Sequence, residues 1–75
     1  MDEDAIRAAH NYLKEYRAKR EFAVSQEMKA QSLYDILFEI GADAEDVECA
    51  FAWLQHNPGM PNVEIIKRAN ISGRE

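Results

Sequence analysis

Apolar residues at Ala5, Ile6, Ala9, Tyr12, Leu13 and Tyr16 recur at steps of three and four, the spacing that places side chains on one face of an α-helix. Asp2, Glu3 and Asp4 precede this stripe, where carboxylates favour the positive end of the helix dipole. Continued in register, the stripe would put Arg20 on the apolar side and Phe22 on the polar side. The phase therefore breaks around residues 20–25, as a kink or a short turn, with Ser25 placed to cap the next helix. From about Gln26, a second stripe runs through Ala30, Leu33, Ile36, Leu37 and Ile40. Gly41 follows where a left-handed helix terminator is expected.

A third helix begins after Asp43, whose carboxylate is placed to cap it, with Glu45 and Asp46 in its first turn. Its inward stripe is Val47, Ala50, Phe51 and Leu54, and it should run to about His56. Asn57-Pro58-Gly59-Met60-Pro61 is a loop, because each proline disfavours helical geometry in the residue before it. Asn62 is then expected to cap a short last helix with Val63, Ile65, Ile66 and Ala69 inward. A strand there would lack a pairing partner. The fold class is all-α: residues 1–75 form a single helical domain, a small bundle of three principal helices plus a short C-terminal one.

A chain of 75 residues buries only about 60% of its unfolded surface, so burying more between subunits, as a homodimer, would complement the small core. The single Cys49 excludes an internal disulfide framework and favours a reducing compartment, with the cytoplasm as the default. The acidic opening residues do not resemble a targeting signal, and no apolar run approaches the roughly 20 residues of a membrane helix.

Charge changes the picture of partners. Between Lys29 and Lys67 there is no Lys or Arg, while Asp35, Glu39, Asp43, Glu45, Asp46, Glu48 and Glu64 all fall in the gap. The net charge of −5 works against generic binding to nucleic acid or anionic lipid. Locally, however, Arg7, His10, Lys14 and Arg17 share one face of the first helix as a basic ridge, to which Arg20 would add.

Candidate chemistry is thin. No nucleophile signature or glycine-rich phosphate loop occurs, and no catalytic residue, cofactor or metal site is expected. Cys49 and His56 share a face but sit about 10 Å apart along the helix, with no further ligands in sight. The acids at 43–48 lack the ligand alternation, central Gly and distal Glu of a calcium loop. Aromatics are better interaction candidates. Tyr34 and Phe38 are displaced from the second stripe and Trp53 from the third, so both helices have more than one apolar face.

Val47-Glu48-Cys49-Ala50-Phe51-Ala52-Trp53-Leu54 resembles the last helix of ubiquitin-associated domains. That resemblance implies ubiquitin binding through a Met-Gly-Phe/Tyr loop, but Ile40-Gly41-Ala42 stands in that place and lacks both contact side chains.

These features predict a protein that acts by binding another protein: an acidic regulator or accessory protein, suited to the inhibitors and adaptors that phages and mobile elements encode. Tyr34, Phe38 and Trp53 would supply apolar contact, and Glu39, Asp46 and Glu48 charge complementarity. The alternative is a dimeric nucleic-acid-binding regulator using Arg7, Lys14, Arg17 and Arg20. A third, weaker expectation is a small ligand held between helices.

Overall fold

A computed structural model describes residues 2–18 and 24–71. Four helices follow in order: α1 (Glu3–Ala18), α2 (Val24–Ile40), α3 (Ala44–His56) and α4 (Asn62–Arg68). The phase break falls largely at residues 19–23, outside the described residues, as do Arg20 and Phe22. The flanking helices nevertheless run antiparallel, since His10 faces Tyr34 and Arg17 reaches Glu27. α1 packs on both α3 and α2, and α4 closes against α3 and α2.

Most of each inward stripe forms the core; Ile6 and Ile36, expected inward, are only half-buried and lie outside it. Ala5, Ala9, Leu13 and Tyr16 of α1 meet Ala30, Leu33 and Leu37 of α2 and Val47, Ala50, Phe51 and Leu54 of α3, with Ile65 of α4 beside them. Tyr12 stacks on Phe51 with ring centroids 4.9 Å apart and planes 3° from parallel, tying α1 to α3. Five buried alanines, at 5, 9, 30, 42 and 50, leave room for the helices to approach closely.

Local chemistry sets the helix ends. Asp2 Oδ1 accepts from the Ala5 amide at 2.8 Å, and Asp43 Oδ1 from the Asp46 amide at 2.9 Å, each satisfying an amide that has no partner inside its helix. α2 stops at Gly41, where φ is 73°. The Gly41 amide donates to the Phe38 carbonyl and the Ala42 amide to the Leu37 carbonyl, the paired bonds of a Schellman terminator. α4 stops in the same way at Asn70, φ 55°, with bonds from Asn70 to Lys67 and from Ile71 to Ile66.

Three expectations need correction. Ser25 is the second residue of α2 rather than its cap, because the helix starts at Val24. Asn62 is the first residue of α4 and makes no capping bond. Its Nδ2 donates instead to the Lys29 carbonyl at 3.1 Å, pinning α4 to α2. Val63 is exposed rather than inward: a helix this short presents only Ile65 fully to the core, with Ile66 half-buried. The segment is a helix, not a strand.

Candidate docking face on the second helix

α2 carries apolar residues on two opposite faces. Inward lie Ala30, Leu33 and Leu37. Outward, Val24, Met28, Gln31, Asp35 and Phe38 follow at steps of four and three, which keeps them within about 40° of one direction on a helix of 3.6 residues per turn. Val24 is 72% exposed, Met28 66% and Phe38 52%; among the described residues, the fourth large exposed apolar side chain is Val63, on α4. Three of four on one face of a 17-residue helix make a stripe rather than the scattered exposure of an ordinary surface.

The stripe has two differently charged flanks. Between α1 and α2 lies a groove of about 310 Å³, walled by His10, Lys14 and Arg17 on one side and Gln31 and Tyr34 on the other. Here the Tyr34 ring sits 5.5 Å from His10 and 6.1 Å from Phe38. Arg17 Nε lies 3.5 Å from Glu27 and its guanidinium also donates to Gln31, whose amide in turn donates to Asp35 at 3.2 Å. Toward the end of α2, a shallower hollow is formed by Tyr34, Asp35, Phe38 and Glu39, pairing two rings with two exposed carboxylates on a turn and a half of helix.

The structure thus groups Tyr34, Phe38 and Glu39 and adds Asp35. The other candidates lie on α3, apart from that hollow. Trp53 is half-buried and lines a small depression with Ala52, His56 and Asn57. Asp46 belongs to the first turn of α3, its amide held by Asp43. Glu48 stands near Tyr12 on the α1 side, where burial first, and then the charges of Glu48 and Glu15, push the Tyr12 hydroxyl pKa above its usual value. Burial and Glu15 do the same to Tyr16.

Of the basic ridge, Arg7 lies 4.0 Å from Asp4 and Arg17 is paired with Glu27, so two of its cations are partly offset by the protein's own carboxylates. Arg20 lies outside the described residues. Cys49 and His56 are both exposed on α3, and among the described residues no three His, Cys, Asp or Glu side chains gather as metal ligands. No described helix is long and apolar enough to cross a membrane.

Val24 and Met28 are the residues that sequence reasoning missed. Their spacing to Gln31, Asp35 and Phe38 was the available signal, hidden because polar residues interrupt it. Comparisons with family models, curated proteins and solved structures return no match, so the site stands on its own geometry.

Proposed function

We propose that this protein is a small acidic regulator or accessory protein that works in the cytoplasm by docking on another protein through the outward face of α2. The observation that carries this reading is the Val24/Met28/Phe38 stripe, on a helix whose opposite face already completes the core. Exposing three large apolar side chains on one face costs solubility and adds nothing to the fold, which is the signature of a surface that is covered part of the time. Tyr34 and Phe38 supply the aromatic contact that dominates protein interfaces, and Asp35 and Glu39 set the charge of the rim.

The test is paired capture with immobilised full chain, comparing wild type with Phe38→Ser and with Val63→Ser as an exposed control on α4. A protein retained by wild type and by Val63→Ser, and at least tenfold less by Phe38→Ser, supports the reading. Retention indifferent to Phe38→Ser overturns it.

The alternative, nucleic-acid binding, draws on the alignment of His10, Lys14 and Arg17 along the groove wall. It requires retention on immobilised DNA that weakens steeply with salt and falls further in Lys14→Gln. The ion pairs of Arg7 and Arg17 and the net charge of −5 favour the protein-docking reading.

A further inference from the structure

We infer that the groove between α1 and α2 is a binding site for a small organic anion, a carboxylate carried on an aromatic body. The site does not rest on the docking reading, because His10, Asn11 and Lys14 belong to α1, off the outward stripe of α2.

The lining separates into a polar rim and an apolar floor. His10, Lys14 and Arg17 stand on the rim at steps of four and three along α1, and among the described residues no carboxylate lines the groove. In a chain of net charge −5 that is a local reversal of sign. Leu13, only 5% exposed, and the half-buried Tyr34 supply the floor.

Lys14 is the group that selects an anion. Arg7 is opposed by Asp4, Arg17 by Glu27 and Arg68 by Glu64, whereas the Lys14 side chain has no ion pair or hydrogen bond among the described residues. Its ammonium offers three donors and no acceptor, so a carboxylate is its natural counterpart. Arg17 does not count as a free cation. Its contacts to Glu27 and Gln31 hold the guanidinium in place, and it closes one end of the groove as His10 closes the other. Asn11 adds a side-chain amide to the same rim.

The rings set the body of the ligand. Tyr34 is tilted 53° against both His10 and Phe38, so a further ring set at an angle against Tyr34 repeats the edge-to-face contacts that the protein's own rings already make. At about 310 Å³ the groove lies at the lower end of the roughly 300–1,000 Å³ of small-molecule sites, which suits a single ring with its acid group rather than a larger cofactor. The rim residues are exposed and their charges are screened by salt, so binding falls in the millimolar range.

The experiment is an amide NMR titration of the full chain at low salt with phenylacetate, and with phenylacetamide and acetate as probes that lack the charge or the ring. Phenylacetate is expected to give saturable shifts gathered on His10, Asn11, Lys14, Gln31 and Tyr34, with the other two probes binding at least fivefold more weakly. Lys14→Gln should weaken phenylacetate binding at least fivefold. Lys67→Gln, which removes the same charge from α4, should leave it unchanged. Both side chains are exposed, so both variants should keep the helical circular dichroism of wild type. Failure to saturate by tens of millimolar, equal binding of phenylacetamide or of acetate, or equal weakening by Lys67→Gln overturns the inference. None of these results touches the docking reading, whose test is the loss of a captured protein in Phe38→Ser.

Discussion

Asp43 shows how much a single side chain sets in this molecule: its carboxylate closes the first turn of α3 and so fixes where the α2–α3 connection ends. Asp43→Ala should cost about 1 kcal/mol, read as a fall of several degrees in the thermal midpoint. Gly41 holds the other side of that connection in the left-handed region, and Gly41→Ala should cost about 1–2 kcal/mol in denaturant unfolding. Tyr12, with Tyr16, carries an alkaline pH dependence. Its folded pKa lies above the unfolded value near 10, so the fold favours the neutral phenol. That contribution is fully present below about pH 10 and is lost as pH rises through the folded value. Glu48→Gln should bring the Tyr12 phenolate transition to lower pH in an absorbance titration, and an unmoved transition would show that burial and Glu15 set it without Glu48. At this scale, Gly41 and Asp43 were legible because each directly borders an apolar stripe. Asn70 was not, since asparagine enters the left-handed region too rarely to be read without coordinates. Asn62 was misread because a distant carbonyl, that of Lys29, takes its side chain.

The three long helices were legible as elements because apolar residues recur at steps of three and four along each, and Val47, Ala50, Phe51 and Leu54 are all fully buried, although Ile6 and Ile36 of the expected stripes are only half-buried. Phe51, under the Tyr12 ring, is the largest of the fully buried side chains; Phe51→Ala should cost about 3–5 kcal/mol, enough to unfold a domain of this size or nearly so. Met28→Glu, on the outward face of α2, should leave the unfolding midpoint within about 0.5 kcal/mol of wild type. The contrast between these two variants separates the face that builds the fold from the face proposed to meet a partner. The outward stripe was half-legible. Tyr34 and Phe38 stood out against the inward stripe, while Val24 and Met28 lie in a stretch where the phase of α1 has just been lost. Which face of α4 turns inward was not legible either, because seven residues are too few for periodicity to choose between Val63 and Ile65.

For the molecule as a whole, the radius of gyration of 11.3 Å matches the roughly 11 Å expected of a compact chain of this length. The surplus apolar surface is therefore not the mark of a loose fold. Most of it lies on α2, flanked by His10, Lys14 and Arg17 of α1, while Val63 of α4 is exposed apart from it. Charge segregation was plain in the sequence. How it is arranged in space was not, since it depends on α1 lying antiparallel beside α2 and setting Arg17 against Glu27. The central claim is that the outward face of α2 is where this protein meets another. The most direct measurement is capture by the immobilised full chain, wild type against Phe38→Ser and Val63→Ser. The account predicts a protein retained by wild type and by Val63→Ser, and at least tenfold less by Phe38→Ser. Retention indifferent to Phe38→Ser would contradict it.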